Sequence, residues 1–187
     1  MSKKAARDIK IVNIVVSTSL EHDVPLEKMA ATLSNTEYNP EQFPGLVIRI
    51  KEPKTSALIF SSGKIVCTGA RTLDKVEESI KKIIKSLEKI NVKITVKPVI
   101  NIQNIVASGS VGMDLNLNEL ATKLKNVEYE PEQFPGLVYK IPPTKNSPQA
   151  TFLLFSNGKI VCTGTKSEKE VHAAVDTLIG NLKKVKA

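Results

Sequence analysis

The chain of 187 residues has few of the residues that disulfide frameworks and metal sites require. It contains two cysteines, Cys67 and Cys162, and two histidines, His22 and His172, without the spacing of a metal-ligand motif. A structural zinc or a set of disulfides therefore lacks its ligands, and no metal or other cofactor is expected. Both cysteines fall in strand-like segments, where a small buried apolar residue is the simpler interpretation.

Long apolar runs are also missing. No segment approaches the roughly 20 residues that a membrane-spanning helix needs, and the N-terminal Met-Ser-Lys-Lys is not followed by the apolar core of a signal peptide. A composition of 41% apolar and 25% charged residues is that of an ordinary globular protein. These features predict a soluble protein of the cytoplasm.

Motifs of the common enzyme classes are absent as well. The sequence contains no Gly-rich phosphate loop and no Ser/His/Asp or Cys/His set that would indicate a catalytic centre. His22, beside Asp23, is interpreted as a loop residue. The sequence therefore predicts that the chain is not an enzyme.

What the sequence does contain is an internal repeat. The segment EYNPEQFPGLV at 37–47 recurs as EYEPEQFPGLV at 128–138, and NIV at 13–15 recurs at 104–106. FSSGKIVCTG at 60–69 recurs as FSNGKIVCTG at 155–164. Two copies are too few for a solenoid. We therefore predict one pseudo-two-fold domain with an N-terminal tail at 1–10, a first repeat at 11–98 and a second at 99–187.

Hydrophobic patterning gives the same order of elements in each copy. In the first copy it predicts a strand at 11–19, a helix at 25–33, strands at 46–50, 56–60 and 64–69, and a helix at 72–90; the second copy ends in a helix at 167–185. The fold class is thus α+β, a duplicated β-α-β-β-β-α repeat that forms an antiparallel sheet with its helices on one face.

The other face of such a sheet is expected to lie open. Strand alternation predicts that Ile65, Cys67 and Gly69 meet the helices. The opposite side would then carry Lys64, Val66 and Thr68, and other strands add Asn13, Val15, Ser17, Leu58 and Phe60. The apolar members of this set predict a large apolar patch, which soluble proteins rarely leave without a use. They are Val15, Leu58, Phe60 and Val66, with their partners Val106, Leu153, Phe155 and Val161.

Basic and aromatic residues suggest what the open face binds. Arg49, Lys64, Lys140 and Lys159 lie at or near strand ends, where they could bracket the patch and contact phosphates. The net charge of +8 is consistent with a polyanionic partner. An apolar floor with a basic rim suits the minor groove of DNA. Four phenylalanines fall at repeat-equivalent positions, Phe43 with Phe134 and Phe60 with Phe155, and two aromatic pairs placed symmetrically could insert between base steps. From spacing alone, an ordinary core role for these rings remains an equal alternative.

The duplicated Glu-Tyr-x-Pro-Glu-Gln-Phe-Pro-Gly-Leu-Val and Phe-Ser-x-Gly-Lys-Ile-Val-Cys-Thr-Gly motifs closely resemble the TATA-box-binding protein family, in its compact archaeal form. The resemblance extends from about residue 11 to residue 185. It implies a saddle-shaped, curved sheet with helices on the convex face. It also implies a general transcription initiation factor, associated with the nucleoid, that binds the minor groove of a TATA element in double-stranded DNA and recruits transcription factor B and then RNA polymerase.

The resemblance also implies a role for individual residues. Phe43, Phe60, Phe134 and Phe155 match the intercalating pairs. Base and groove-floor contacts are implied for Asn13, Val15, Leu58, Val66, Thr68, Asn104, Val106, Leu153, Val161 and Thr163. Phosphate contacts are implied for Arg49, Lys64, Lys140 and Lys159, and a contact with factor B for Glu130, Glu132 and Gln133.

Several alternatives stay open at this point. A similar module could recognise nucleic acid in a repair or RNA-processing system, although such a module usually lacks the phenylalanine pairs. The acidic loop at 130–133 and the lysines of the first long helix (Lys75, Lys81, Lys82, Lys85 and Lys89) could be solvated surface only. Whether free molecules form a homodimer through their open faces is also left open.

Overall fold

A computed structural model describes residues 8–186 of the chain. The first repeat contains these elements in order: β1 (Lys10–Ser19), α1 (Leu26–Thr32), β2 (Thr36–Glu37), β3 (Leu46–Ile50), β4 (Thr55–Ile59), β5 (Lys64–Ala70) and α2 (Leu73–Glu88). The second contains β6 (Asn101–Ser110), α3 (Leu117–Lys123), β7 (Val127–Glu128), β8 (Leu137–Ile141), β9 (Ala150–Leu154), β10 (Lys159–Thr165) and α4 (Glu168–Lys186). The predicted α+β class and its duplicated order are confirmed, with β2 and β7 as additions.

The described residues divide into two compact units. The first unit consists of residues 13–103, and the second of 104–186 together with 8–12. Residues 1–7, most of the predicted N-terminal tail, lie outside the described residues. Within residues 8–186, no helix is sufficiently long and apolar to cross a membrane.

Each unit is built on an antiparallel sheet. In the first, the strand order is β2-β3-β4-β5-β1, and in the second it is β7-β8-β9-β10-β6. A hairpin at 61–63 joins β4 to β5, where the N–H of Phe60 donates to the carbonyl of Lys64 at 2.9 Å. Gly63 has a φ of +92° there, a conformation that suits glycine.

Long helices cover one face of each sheet. The stripe of α2 formed by Val76, Ile80, Ile83 and Leu87 is buried, and α2 contacts β5. The helix begins after Thr72, whose side-chain oxygen accepts a hydrogen bond from the N–H of Lys75 at 3.2 Å. Each fully buried aliphatic side chain contributes about 1.5–3 kcal/mol by leaving water. This burial fixes the helix to one side of the sheet and leaves the other side for a partner.

The predicted inward position of Gly69 is wrong. Ile65 and Cys67 are fully buried as predicted, but Gly69 is exposed, and Ala70 is buried in its place. The cause is a β-bulge, because Ile14 pairs with Ala70 whereas Val16 pairs with Cys67. The step from 67 to 70 in β5 thus opposes the shorter step from 14 to 16 in β1, which resets the alternation of side chains.

Candidate nucleic-acid interface

Cross-strand register places a row of three apolar side chains, ending at Ser17, on the face of the first sheet that α2 does not cover. Val47 pairs with Leu58, Leu58 pairs with Val66, and Val66 pairs with Ser17. All four are half-buried, whereas their neighbours along each strand are largely buried in the core. Since directly paired residues share one face of a sheet, this row forms a continuous band.

A polar row lies beside the apolar one. Arg49 pairs with Ser56, and Ser56 pairs with Thr68. Thr68 in turn contacts Asn13 of β1 through a hydrogen bond from the Asn13 amide Nδ2 to the Thr68 hydroxyl, 2.9 Å long. A cationic side chain, two hydroxyls and an amide are therefore aligned across four strands.

The second unit repeats both rows. Its apolar row consists of Val138, Leu153 and Val161 and ends at Ser108, and its polar row contains Lys140, Thr151 and Thr163. Asn104 Nδ2 donates to the Thr163 hydroxyl at 2.9 Å. Val15 and Val106, predicted groove-floor residues on β1 and β6, are half-buried, and both strand neighbours of each are buried.

Backbone contacts fix which way each asparagine amide points. Asn13 Oδ1 accepts a hydrogen bond from the N–H of Gly69 at 2.7 Å, and Asn104 Oδ1 accepts one from the N–H of Gly164 at 2.8 Å. With the oxygen engaged and one N–H given to threonine, each amide retains a second N–H donor. The face therefore presents hydrogen-bond donors in the polar row of each unit, beside the apolar row.

Two aromatic pairs stand at equivalent positions. Phe43 contacts Phe60 with ring centroids 5.9 Å apart and an interplanar angle of 65°, and Phe134 contacts Phe155 at 6.0 Å and 69°. Phe43 and Phe134 are each 43% exposed, and Phe60 and Phe155 are half-buried. The fifth phenylalanine, Phe152, is fully buried in the core. The four paired rings are therefore available to a partner.

A turn and a glycine hold each exposed ring. In the first unit the carbonyl of Asn39 accepts hydrogen bonds from the N–H groups of Gln42 and Phe43, both at 3.0 Å. A Cβ atom at Gly45 would lie 2.7 Å from Phe43 Cε1 and 3.1 Å from Phe60 Cε1. The absence of a side chain at Gly45 thus makes room for the edge-to-face pair.

The substitution Gly136→Ala tests this arrangement in the second unit. The added Cβ would lie 2.7 Å from Phe134 Cε1 and 3.0 Å from Phe155 Cε1, so the rings must move apart. We expect weaker DNA bending in a fluorescence-transfer assay. Gly180→Ala is the control, because its added Cβ meets nothing within 4 Å and alanine favours a helix. Bending equal to that of the unsubstituted protein in Gly136→Ala would show that the pair tolerates displacement.

The predicted phosphate-binding residues, Arg49, Lys64, Lys140 and Lys159, are all exposed. Arg49 Nη1 lies 3.3 Å from Glu37 Oε2, with side-chain exposures of 63% and 56%. An exposed pair of this kind contributes only about 0–1 kcal/mol, so Arg49 exchanges partners at little cost. Lys64 and Lys159 follow the hairpins that carry Phe60 and Phe155, which brings a cation close to each aromatic pair.

The predicted protein-binding loop also lies at the surface. Glu130, Glu132 and Gln133 are exposed, and the Glu130 carbonyl accepts hydrogen bonds from the N–H groups of Gln133 and Phe134, both at 3.0 Å. The loop therefore orients Phe134 through its backbone while its side chains remain in solvent. Four lysines of α2, namely Lys75, Lys81, Lys82 and Lys85, are exposed as well, as is Lys89 just beyond its end. Lys82 donates to the carbonyl of Glu52.

The cysteines have a packing role. Burial raises the pKa of the Cys67 thiol to about 11 and that of Cys162 to about 12, so both remain protonated near neutral pH. Both are free and buried. Among residues 8–186, no cluster of three or more His, Cys, Asp or Glu side chains could hold a metal ion.

Sequence reasoning missed two groups of residues on this face. It did not identify Val47, Val138, Ser56 and Thr151, although alternation along their strands could have found them. It also missed the N–H groups of Gly69 and Gly164, for which the only signal is the Thr-Gly pair that ends each copied motif. Gln103 is a further addition, since its Nε2 donates to Ser17 Oγ at 2.8 Å.

Comparison with known proteins identifies the family. The family model described as transcription factor TFIID, or TATA-binding protein, matches residues 8–90 and again 99–185. The chain is 48% identical to the TATA-box-binding protein of Thermococcus kodakarensis over 94% of this chain and 90% of that protein. It is 50% identical to the one from Picrophilus torridus, over 95% of each.

A solved structure agrees with the sequence comparisons. The Methanococcus jannaschii TATA-binding protein superposes with a TM-score of 0.86 and 46% sequence identity, covering 94% of this chain and 98% of that one. Both the duplicated sequence motifs and the fold thus point to the same group of proteins. The chain belongs to the TATA-binding protein family of transcription factors.

Proposed function

We propose that the exposed sheet face of each repeat binds the minor groove of one half of a TATA element. The observation that carries this proposal is the donor pair, Asn13 with Thr68 and Asn104 with Thr163, which lies in the polar row beside the apolar row of each unit. Family membership makes the chain a general transcription initiation factor that binds the TATA box, and not an enzyme. The residue roles are our proposal.

Groove chemistry supports A·T recognition. In the minor groove an A·T pair presents only acceptors, adenine N3 and thymine O2, whereas a G·C pair adds the guanine amine. The remaining N–H of each asparagine can donate to those acceptors. The hydroxyls of Thr68 and Thr163 donate to Asn13 Oδ1 and Asn104 Oδ1 at 3.2 and 3.3 Å, and rotation of the hydroxyl would redirect that proton to the groove. A guanine amine would meet donors that it cannot pair with, and it would collide with the apolar rows.

The aromatic pairs supply a means of bending. Phe43 and Phe134 are exposed and each is backed by a second ring, as an inserting wedge requires. Unstacking a base step costs a few kcal/mol, which is offset because a bent duplex covers more of the protein surface. Sequences that deform easily are therefore preferred, and part of the specificity is indirect.

Further proposals concern the partners. We assign transcription factor B to the exposed loop of Glu130, Glu132 and Gln133, whose carboxylates suit a basic partner, and RNA polymerase is recruited through factor B. Where the first repeat has Asn39 the second has Glu130, so this loop distinguishes the two repeats by charge. We also propose that the protein acts at the nucleoid in the cytoplasm.

Salt dependence measures the phosphate contacts. The logarithm of the affinity falls with the logarithm of salt concentration at a slope of about −0.9 for each phosphate neutralised. We expect Lys159→Gln to make this slope shallower by about 0.9. The control is Lys183→Gln, which removes an equal charge from the exposed side of α4 and is expected to leave the slope unchanged. Equal slopes of affinity against salt concentration in the two variants would show that Lys159 does not contact a phosphate.

The proposal as a whole is tested by selection from random duplexes at fixed salt, with and without factor B. We expect enrichment of A/T-rich elements with flexible pyrimidine–purine steps. A parallel arm with double-stranded RNA should show no specific binding, because the A-form minor groove is wide and shallow. Selection of G·C-rich or RNA ligands would contradict minor-groove recognition of a TATA element.

A further inference from the structure

The β-bulge at the end of β5 recurs in β10. In the second unit Ile105 pairs with Thr165 and Ala107 with Cys162, so the step from 162 to 165 opposes the step from 105 to 107. Gly69 has a φ of +104° and Gly164 a φ of +94°. This conformation is strained for residues with a side chain, and it turns the glycine N–H out of the regular ladder of hydrogen bonds.

Each freed N–H is used in the same way. It donates to the side-chain oxygen of the asparagine on the neighbouring strand, at 2.7 Å for Gly69 and Asn13 and at 2.8 Å for Gly164 and Asn104. The threonine preceding each glycine contacts the same asparagine, since Thr68 and Thr163 accept from its Nδ2 at 2.9 Å. A bulge, a glycine and a threonine therefore enclose each amide.

We propose that the peptide N–H groups of Gly69 and Gly164 are positioning groups that set the preference for A·T pairs. They act by holding the amides of Asn13 and Asn104 with Nδ2 as the group available to DNA. This inference rests on the proposed minor-groove function and goes beyond it, because it assigns specificity to two backbone atoms that need not touch DNA.

The physical basis is the near-symmetry of a carboxamide. A rotation of about 180° about the Cβ–Cγ bond exchanges Oδ1 and Nδ2 with little change in shape. Packing alone therefore does not favour one orientation strongly over the other. In the flipped state an oxygen would face the groove, where it would repel adenine N3 and thymine O2 and accept from the guanine amine. The glycine N–H prevents the flip, because two donors would then face each other.

A backbone ester tests this directly. Replacing Gly164 by glycolic acid deletes the N–H and adds no side chain, so the positive φ remains allowed. We expect the ratio of TATA affinity to that for a duplex with a central G·C pair to fall about tenfold, the scale of one good base contact. Affinity for non-specific duplex should stay within about twofold, since phosphate contacts supply it.

The control is an ester at Gly112. That glycine also has a positive φ, +75°, and its N–H donates to Ser110 Oγ at 3.0 Å. The control variant therefore loses a comparable hydrogen bond in the same unit, but that bond does not involve an asparagine. Its ratio of TATA affinity to affinity for the G·C-containing duplex should not change. The ester at Gly69 is the second variant in case the Gly164 ester folds poorly.

A second readout needs no DNA. In the free protein, 15N relaxation of the Asn104 side-chain amide should show a rigid group, and the Gly164 ester should lower its order parameter. An unchanged affinity ratio in the Gly164 and Gly69 esters, combined with a reduced ratio in Asn104→Ala, overturns this inference alone. An unchanged ratio in Asn104→Ala instead overturns the donor readout of the proposed function, and the positioning role falls with it.

Discussion

Phe134→Ala is expected to reduce DNA affinity and DNA bending together, and Phe43→Ala should act likewise. Contact of an aromatic ring with a base is worth about 1–3 kcal/mol when it is removed by alanine substitution, or roughly 5- to 150-fold in affinity. Bending should decrease as well, because a ring inserted at a base step holds the kink open. Fluorescence transfer between dyes at the two ends of a TATA duplex measures both quantities.

Because these rings are exposed, their substitution should affect DNA binding without greatly affecting the stability of the fold. Phe134 is 43% exposed, so its removal should change the free energy of unfolding far less than the loss of a core residue would. Leu73 offers a matched control, because it is 46% exposed at the start of α2, on the helical side. Leu73→Ala should leave affinity and bending unchanged. Unchanged bending in both phenylalanine variants would refute the wedge role.

The partner rings should give a smaller version of the same effect. Phe155 is half-buried and meets Phe134 edge to face, an arrangement worth about 0.5–1.5 kcal/mol beyond the area that it buries. Phe155→Ala therefore removes support from Phe134 as well as contact with DNA. Bending in this variant should fall between that of Phe134→Ala and that of the unsubstituted protein.

Sequence comparison within the chain predicted the elements because the two copies constrain each other. Alternation along the strands gave the buried positions Ile65 and Cys67 correctly. It failed at Gly69 because a bulge changes the register, and a bulge depends on pairing with a strand that lies about 50 residues away in sequence. The strands β2 and β7 were missed because two residues are too few to show a period.

The exposure of Phe43 and Phe134 could not be predicted from local sequence, whereas strand alternation places Phe60 and Phe155 on the open face. Phe152 and Phe155 are three residues apart, yet Phe152 is fully buried while Phe155 is half-buried on the other side. The difference follows from alternation, which continues one residue beyond the end of β9 at Leu154, so that Phe155 shares the open face with Leu153. Gly136 was the usable signal, since a glycine beside an aromatic residue often marks a close approach.

The orientation of the asparagine amides was likewise beyond sequence reasoning. Asn13 and Asn104 were identified as polar groups on the open face, and the structure brings each to its threonine. Which amide atom faces outward depends on the N–H of a glycine in the bulge, and so on the same register change that was missed at Gly69. The wrong position predicted for Gly69 and the missed orientation of the asparagine amides thus have the same physical cause, the β-bulge.

The amide orientation makes Asn104→Asp the most informative single exchange on this face. Aspartate has nearly the same shape, and one of its oxygens can still accept from the N–H of Gly164, so the local structure should persist. Its other oxygen replaces the outward N–H donor and faces adenine N3 or thymine O2, which are acceptors. We expect TATA affinity to fall at least about tenfold, from the lost contact and the added repulsion.

The direction of the specificity change separates this readout from a general charge effect. A guanine amine can donate to the new carboxylate, so a duplex with G·C at the contacted step should lose less affinity than TATA does. Asn116→Asp adds the same charge at the start of α3, where Asn116 Oδ1 accepts from the N–H of Glu119 at 3.1 Å and aspartate caps equally well. If Asn104→Asp and Asn116→Asp weaken all duplexes to the same extent, charge alone accounts for the loss and Asn104 does not read the base pair.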